Sequence, residues 1–304
     1  MKRTSVLVIG LGSMGFGMAQ SCLRAGLATR GVDVNPEAEA RFAASGGQAG
    51  DALAAAADLD AVAVVVLNAV QLEAVLFGPE GIVPHLRAGA VVIACPTVAP
   101  SVVRDMAARC AGRGVHYLDA PISGGAVKAA EGALSIMASG PAEAFEAAGP
   151  VLEATAAKVF RLGDVPGAGS AMKAVNQLLA GVHIAAMGEA MAFGMTQGVR
   201  PDTFLEVISQ CAGTSWMLEN RAPHVIEGDY TPRSQIAIWP KDLGIVLDIA
   251  REAKFAAPIT AAALQQYMVA VGMGLASEDD AAITKVYARN AGLKLPGAGG
   301  GTDD

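Results

Sequence analysis

The 304-residue sequence lacks the features of a nucleic-acid-binding, metal-binding or disulfide-stabilised protein. Its 22 Lys and Arg are outnumbered by 29 Asp and Glu, whereas binding to nucleic-acid phosphates needs a basic face. The four cysteines are far apart and form no CxxC pair: Cys22, Cys95, Cys110 and Cys211. Such spacing predicts reduced core cysteines of a cytoplasmic protein. We therefore expect neither nucleic acid nor a metal as a partner.

Long uninterrupted apolar runs are also missing. Gly10, Gly12 and Gly15 interrupt the apolar run that follows the basic start, so a strand and a turn account for it better than a signal sequence does. No stretch of about 18 apolar residues lacks glycine or charge outside helical patterning, which argues against a membrane span. With 53% hydrophobic and 17% charged residues, the composition predicts a soluble, cytoplasmic protein with a large core.

The first half of the chain alternates short apolar runs with helical segments. Most of the runs are rich in β-branched residues, and the predicted strands are Ser5–Gly10, Ala28–Val34, Ala61–Leu67, Ala90–Ala94, Val115–Asp119 and Leu134–Ala138. Continuous apolar strands separated by helices are typical of a parallel sheet covered on both faces. The pattern predicts an α/β fold with a Rossmann-type, doubly wound parallel sheet.

The pattern changes near residue 164. A turn-rich segment covers residues 163–169, and one long helix is then predicted over Ser170–Gln197, followed by further helices to Asn290. We therefore predict three parts: a Rossmann domain at 1–164, an all-α domain at 165–294 joined to it by the long helix, and a flexible tail at 295–304. The tail is low in complexity, which favours disorder.

A glycine-rich motif lies between the first predicted strand and the first helix. Its residues are Gly10, Leu11, Gly12, Ser13, Met14 and Gly15. In a GxGxxG turn the first glycine makes the turn, the second lets the backbone approach a pyrophosphate, and the third lets the helix pack on the strand. The alternative is an ordinary strand-to-helix turn. The strand, the helix and the position near the start of the chain favour a dinucleotide site.

An acidic residue at the end of the second predicted strand indicates which dinucleotide binds. Asp33 lies 18 residues after Gly15, where a carboxylate can accept hydrogen bonds from a ribose and would repel a 2′-phosphate. Val34, Asn35 and Pro36 follow it without a basic residue. NAD is therefore predicted rather than NADP. The alternative is that Asp33 only forms the turn before Pro36, and a turn-forming aspartate could also bind the ribose.

Two further segments carry candidate chemistry. Ser123, Gly124 and Gly125 follow a strand and offer a hydroxyl and unobstructed N–H groups to a carboxylate, although Ser-Gly-Gly is also a common loop. Lys173 is expected in the first turn of the long helix, with Asn176 and His183 on the same stripe. Burial and the helix dipole would both favour the neutral amine of a general base. A surface lysine and a core histidine are the alternatives.

These motifs together resemble the β-hydroxyacid dehydrogenase family, which includes 3-hydroxyisobutyrate and tartronate-semialdehyde enzymes. The matching stretches span most of the chain in the family's order: GLGSMGFGMA, DAPISGGAVKAAEGALSIMASG, GAGSAMKAVNQ and PKDLGIVLDIA. The resemblance implies that Lys173 is catalytic, and that Ser123, Gly124 and Gly125 hold the substrate carboxylate with Asn176 nearby. It further implies a homodimer or homotetramer and a cofactor site lined by the glycines together with Asp33, Asn68, Thr97 and Lys241.

The second half contains the stretches AGVHIAAMGEAMA, GTSWMLENRAPHVIEGDYTPRS and EDDAAITKVY. In these stretches it resembles the branch of the family that oxidises four-carbon sugar acids. It implies conversion of L-threonate to 2-oxo-tetronate, with His183, Ser215 and Asn220 as candidate hydroxyl partners. Gln177 stands where family members commonly have a second asparagine. The alternatives are a 3-hydroxyisobutyrate dehydrogenase, a tartronate-semialdehyde reductase and, from another class, a non-catalytic NAD-binding regulator. A decarboxylating enzyme of the 6-phosphogluconate type is disfavoured because the arginines of the second half are scattered.

Overall fold

The computed structural model describes residues 3–50 and 52–296, and the chain divides into two compact units, Met1–Lys173 and Ala174–Asp304. The predicted α/β architecture with an all-helical second half is confirmed. Of the tail predicted at 295–304, Leu295 is buried in the core of the second unit, and residues 297–304 lie outside the described residues.

A six-stranded sheet, counted over the described residues, forms the centre of the first unit. Its strands are β1 (Ser5–Ile9), β2 (Ala28–Val32), β3 (Gln48–Ala49), β4 (Ala61–Val64), β5 (Val91–Ala94) and β6 (His116–Asp119). Their order is β3-β2-β1-β4-β5-β6, and every neighbouring pair is parallel. This is the doubly wound arrangement, in which all carboxyl ends of the strands lie at one edge and ligands bind there.

Helices cover both faces of this sheet. In chain order they are α1 (Ser13–Arg24), α2 (Pro36–Ala44), α3 (Ala52–Ala55), α4 (Ala69–Phe77), α5 (Pro100–Ala111), α6 (Gly125–Glu131) and α7 (Ala142–Thr155). Along β1, Val6 and Val8 belong to one apolar core, and Leu7 between them belongs to the other. Side chains alternate across a strand, which explains why a strand buried on both faces is continuously apolar.

A second sheet of three strands differs from the prediction. It consists of β7 (Ile122–Ser123), β8 (Leu134–Ala138) and β9 (Ala156–Arg161), with β7 antiparallel and β9 parallel to β8. The strand predicted at Leu134–Ala138 therefore exists, but its place in the main parallel sheet is wrong. The backbone of Asp119, the last residue of β6, pairs with that of Ser139 just after β8 in an isolated antiparallel bridge, and β8 itself pairs with β7 and β9.

The second unit is helical. A long helix, α8 (Ala168–Thr196), runs into it from the first unit, and within the described residues five more follow: α9 (Pro201–Ile208), α10 (Trp216–Glu227), α11 (Ile238–Glu252), α12 (Pro258–Gly272) and α13 (Thr284–Asn290). In the region predicted as helical up to Asn290, Asp280–Ile283 form a 3₁₀ turn before α13. Asp279 caps that turn by accepting a hydrogen bond from the N–H of Ala281.

Helix α8 is long and apolar enough to cross a membrane by length and composition alone. Its Ile184, Met187 and Met191 are fully or almost fully buried in the core of the helical unit. It also carries Lys173 and Glu189. The apolar stripe that Ile184, Met187 and Met191 form packs within the core of the helical unit, as in a core helix.

Three of the four cysteines agree with the predicted core role. Cys22, Cys95 and Cys110 are buried free thiols, and burial raises the pKa of each to about 12. Cys211 is exposed, so its assignment to the core is wrong. The three buried thiols are inert packing groups because the reactive form is the thiolate.

Candidate active site

The glycine turn has the strand-turn-helix context that the motif predicted. Gly10 has a φ of +94°, and a Cβ on it would lie 2.3 Å from the carbonyl oxygen of Val65. A Cβ on Gly15 would lie 1.8 Å from the carbonyl oxygen of Gly10. These two positions therefore accept only glycine, which fixes the turn between β1 and α1.

Gly12 differs from the other two glycines of the turn. It is the N-cap residue of α1, its side-chain position meets no atom within 4 Å, and no side chain among the described residues caps this helix. The first N–H groups of a helix bind anions, and the helix dipole adds to that attraction. The open space at Gly12 therefore suits the close approach of a dinucleotide pyrophosphate.

Asp33 directly follows β2 and contacts the glycine turn. One carboxylate oxygen accepts a hydrogen bond from the N–H of Leu11 at 2.6 Å, and the other accepts from the N–H of Asn35 at 2.8 Å. Each oxygen retains a second lone pair for a ribose hydroxyl. The negative charge is thus held beside the turn, where it fits NAD and opposes a 2′-phosphate.

The remaining predicted cofactor residues of the first unit also lie past the carboxyl ends of their strands. Asn68, four residues after β4, caps α4 by accepting a hydrogen bond from the N–H of Gln71 at 2.9 Å. Thr97 lies half-buried between β5 and α5. The parallel sheet places both residues at the edge that carries the glycine turn. The cap uses only the side-chain oxygen of Asn68, so its amide N–H groups are the part suited to a ligand.

The Ser-Gly-Gly segment forms a tight reversal between β7 and α6. Ser123 ends β7, and Gly124 and Gly125 both have positive φ angles, +138° and +78°. A Cβ on Gly125 would meet no atom within 4 Å. Two consecutive positive φ angles favour glycine strongly, and the space beside Gly125 is open.

The sequence analysis assigned no role to Asp119, which begins the stretch DAPISGG at residues 119–125. Its side chain is 1% exposed. The carboxylate accepts hydrogen bonds from the N–H groups of Gly167 and Ser170, each at 2.9 Å, and from the hydroxyls of Ser170 at 2.6 Å and Ser139 at 3.1 Å. Burial raises the pKa of Asp119 above its ordinary value, although these hydrogen bonds act in the opposite direction.

The Asp119 carboxylate thereby anchors the N-terminus of α8. Gly169 packs against the same group, because a Cβ there would lie 3.0 Å from an Asp119 carboxylate oxygen and 2.4 Å from the carbonyl oxygen of Met137. An acidic group that accepts the first N–H groups of a helix stabilises that helix end. An aspartate at the end of a predicted strand was the only sign of this role in the sequence. Its hydrogen-bond partners, Gly167 and Ser170, are 48 and 51 residues away, so the local sequence does not indicate them.

Lys173 is the sixth residue of α8, so its predicted position in the first turn is wrong. The reason is that the helix begins at Ala168, two residues earlier than expected. The side chain is only 8% exposed, and its Nζ donates a hydrogen bond to the carbonyl oxygen of Ile122 at 2.9 Å. Ile122 directly precedes Ser123, so the amine lies beside the Ser-Gly-Gly segment.

Asn176 and Gln177 follow on the same helix and belong to a polar cluster of the second unit. The side-chain amide of Asn176 donates to the Gln177 oxygen at 2.9 Å, and the Gln177 amide donates to the carboxylate of Asp242. The other oxygen of Asp242 forms an ion pair with Lys241 at 2.7 Å. Lys241 is the fourth residue of α11.

The other predicted hydroxyl partners differ in how much of their hydrogen-bonding capacity is taken up. His183 is half-buried, ten residues after Lys173 on α8. Ser215 caps α10 by accepting from the N–H of Leu218 at 3.1 Å, and the Asn220 side-chain oxygen contacts Arg221. The Ser215 and Asn220 oxygens thus already have partners within the protein, which makes His183 the stronger candidate of the three.

A Rossmann sheet with this turn, and a buried lysine beside a Ser-Gly-Gly segment, define a nicotinamide-dependent dehydrogenase. The sequence agrees, because residues 5–163 match the family model for the NAD-binding domain of 6-phosphogluconate dehydrogenase. Residues 167–287 match the model for the NAD-binding region of NADP-dependent 3-hydroxyisobutyrate dehydrogenase. The chain belongs to the 3-hydroxyisobutyrate dehydrogenase-like family of NAD-dependent hydroxyacid dehydrogenases.

The similarity extends over nearly the full length of individual relatives. The chain is 51% identical to the L-threonate dehydrogenase of Cupriavidus necator, covering 95% of this chain and 97% of that protein. Identity to the L-threonate dehydrogenase of Escherichia coli K12 is 47%, covering 96% of each. A crystal structure described as the 3-hydroxyisobutyrate dehydrogenase of Salmonella typhimurium is 46% identical, with a TM-score of 0.87, 93% of this chain and 99% of that chain covered.

Proposed function

We propose that this protein oxidises the C2 hydroxyl of L-threonate to give 2-oxo-tetronate, with Lys173 as the general acid/base. The observation that carries the assignment of the lysine is its contact with the carbonyl oxygen of Ile122, which holds a buried amine beside Ser123. The threonate assignment rests on the identity of 47–51% to two L-threonate dehydrogenases.

The residues of the first unit fit NAD, and we assign its site to them. The glycine turn from Gly10 to Gly15 binds the pyrophosphate, Asp33 binds the ribose, and Asn68 and Thr97 line the remainder. Lys241 of the helical unit completes the set that the family resemblance implies. When bound, NAD supplies the acceptor for the hydride that leaves C2.

The protein groups perform the remaining tasks of the reaction. Ser123 and the N–H groups of Gly124 and Gly125 bind the substrate carboxylate, which fixes C2 one bond away from it. The neutral amine of Lys173 accepts the hydroxyl proton as the C–H bond breaks, and later returns it to water. An N–H of Asn176 donates to the oxygen that becomes the carbonyl. His183 is assigned to a more distant hydroxyl of the acid.

The test is NADH formation by the purified protein with L-threonate, D-erythronate, D-glycerate, tartrate and 3-hydroxyisobutyrate, each with NAD and with NADP. L-Threonate with NAD should give the highest kcat/KM. Turnover of only 3-hydroxyisobutyrate or D-glycerate would contradict the threonate assignment while leaving the family intact. A protein that binds NAD and oxidises none of these acids would overturn the substrate assignment, and a non-catalytic NAD-binding regulator would then be the alternative to test.

A second candidate substrate is 3-hydroxyisobutyrate, because the 46% identical Salmonella structure carries that description. Oxidation would then occur at C3, one carbon further from the carboxylate. The same carboxylate-binding segment serves both acids if the substrate shifts by one carbon relative to Lys173. Direct competition between the two acids in one assay measures which of them the site prefers.

We further propose that the protein is cytoplasmic and forms a homodimer or homotetramer. Helix α8 supports assembly, because Val175, Leu179 and Phe193 are 54%, 48% and 66% exposed. Large apolar side chains that a helix leaves exposed to solvent commonly mark an interface. Light scattering coupled to size-exclusion chromatography should give a mass of two or four chains, and a monomer would contradict the proposal.

A further inference from the structure

Helices α8 and α11 carry a chain of four polar side chains: Lys241, Asp242, Gln177 and Asn176, here called the amide relay. Asp242 is 2% exposed and Gln177 is 8% exposed, whereas Asn176 is half-buried. The chain consists of the Lys241–Asp242 ion pair at 2.7 Å, the Gln177–Asp242 hydrogen bond, and the Asn176–Gln177 hydrogen bond at 2.9 Å. The two ends of the relay therefore differ: the Lys241–Asp242 ion pair lies at one end, and the half-buried amide of Asn176 lies at the other.

Hydrogen-bond chemistry fixes the orientation of the two amides in the relay. A carboxylate only accepts hydrogen bonds, so the amide nitrogen of Gln177 must face Asp242. The Gln177 oxygen then faces Asn176, and only the amide nitrogen of Asn176 can donate to it. The reversed amide of Asn176 would place two oxygens against each other. The ion pair at one end therefore selects one of the two orientations of Asn176 at the other end.

We infer that Gln177 is a positioning residue that holds the Asn176 amide in the orientation needed for the hydroxy acid. The inference rests on the proposed function, in which an N–H of Asn176 donates to the developing carbonyl oxygen. Among the described residues the relay uses one of the two Asn176 N–H groups. The second N–H is thus held in a fixed direction, and so is the side-chain oxygen. Such preorganised donors stabilise charge that develops on oxygen.

Two substitutions at Gln177 test this role. Gln177→Met keeps the side-chain length and removes both hydrogen bonds, so kcat should fall about tenfold, roughly the effect of one hydrogen bond, with an unchanged KM for NAD. Gln177→Glu places a carboxylate opposite Asp242. When protonated, the introduced group donates to Asp242 and accepts from Asn176, so its activity relative to wild type should rise as the pH falls towards about 5. Gln265→Met, at an exposed glutamine of α12, is the matched control.

A double-mutant cycle with Asn176→Ala shows whether Gln177 acts through Asn176. Gln177→Met should change kcat less than twofold in that background, against about tenfold in the wild-type background. An equal loss in both backgrounds, or a pH-independent activity ratio for Gln177→Glu, would overturn the positioning role.

If the proposed function is wrong, the wild-type protein itself will oxidise none of the hydroxy acids, which distinguishes that failure from a failure of the relay. The relay is then tested by proton exchange of the Gln177 side-chain amide, measured by NMR. Slow exchange that becomes fast in Asp242→Leu supports the relay. Fast exchange in the wild-type protein overturns it.

Discussion

The Nζ of Lys173 lies 2.9 Å from the carbonyl oxygen of Ile122. The two residues are 51 positions apart in the sequence, yet this hydrogen bond places the amine next to the segment that begins at Ser123. Asp119, at the end of β6 and four residues before Ser123, binds the N-terminus of the helix that carries Lys173. The short stretch from Asp119 to Ile122 thus holds both the lysine and its helix.

Asp119→Asn should therefore weaken both the fold and catalysis. The amide has one acceptor oxygen in place of two and brings an N–H group towards the donors of Gly167 and Ser170. We expect a loss of about 3 kcal/mol in the free energy of unfolding and a clear fall in kcat. Urea unfolding and steady-state kinetics measure the two effects. The exposed Asp164→Asn should change neither, and a wild-type kcat in Asp119→Asn would refute the anchoring role.

The charge of Asp33 should set the choice between NAD and NADP. Asp33→Asn keeps an oxygen that accepts from the N–H of Leu11 and removes the negative charge. We expect the ratio of kcat/KM for NADP to that for NAD to rise about tenfold, because repulsion of the 2′-phosphate is lost. Glu37→Gln removes a charge from the exposed part of α2 and should leave the ratio unchanged. An unaltered ratio in Asp33→Asn would show that another group selects the cofactor.

Gly12→Ala should separate cofactor binding from folding. The added Cβ meets no protein atom within 4 Å, so the melting temperature should stay the same. It would occupy the space assigned to the pyrophosphate, and the KM for NAD should rise at least about tenfold. Gly272→Ala, at the exposed last residue of α12, also meets no atom within 4 Å and should stabilise the fold by about 0.5 kcal/mol without affecting NAD. Unchanged NAD binding by Gly12→Ala would contradict the assigned cofactor position.

A buried carboxylate in the helical unit predicts a pH-dependent stability. Burial alone would raise the pKa of Asp279, but hydrogen bonds from His224 and from the N–H groups of Arg233 and Ala281 hold that pKa below its ordinary value. A lowered folded pKa means that the carboxylate stabilises the fold above the unfolded pKa, near 3.9. That stabilisation is lost as the pH falls through the folded pKa.

Asp279→Asn should accordingly lower the free energy of unfolding by about 3 kcal/mol at neutral pH, with a smaller difference from wild type below about pH 4. The neighbouring Asp280 acts in the opposite direction, because burial and the charge of Asp279 raise its pKa, and Asp279→Asn removes the second of these causes. Asp248→Asn, which breaks an exposed ion pair with Arg251, should have almost no effect. A deficit in Asp279→Asn that does not change with pH would contradict the assignment.

Local patterns predicted what depends on local geometry. The GxGxxG turn, the Asp that follows β2 and the stripe from Lys173 to His183 are each set within one strand, turn or helix, where spacing alone places side chains. The boundaries of β1 agree with the predicted strand to within one residue. The family resemblance supplied what spacing could not, chiefly the pairing of Lys173 with the Ser123 segment.

Long-range contacts were not predictable from the pattern. Strand β9 has the sequence AAKVFR, with only two of its six residues half-buried and the rest exposed, so it lacks the apolar run that marked the other strands. The hydrogen bond between Gln177 and Asp242 spans 65 residues, and nothing in either local sequence indicates it. Gln177 stands where family members commonly have a second asparagine, and in this structure its amide donates a hydrogen bond to Asp242.

The most direct test of the account is the Lys173→Ala variant, measured by NAD titration and by the rate of L-threonate oxidation. We expect this variant to bind NAD with an affinity within about twofold of wild type. Its kcat should be lower by a factor of about 10³, which is in the range for loss of a general acid/base. Lys128→Ala, at an exposed lysine of α6, should retain full activity. A Lys173→Ala variant that binds NAD and oxidises L-threonate at a near-normal rate would contradict the central claim.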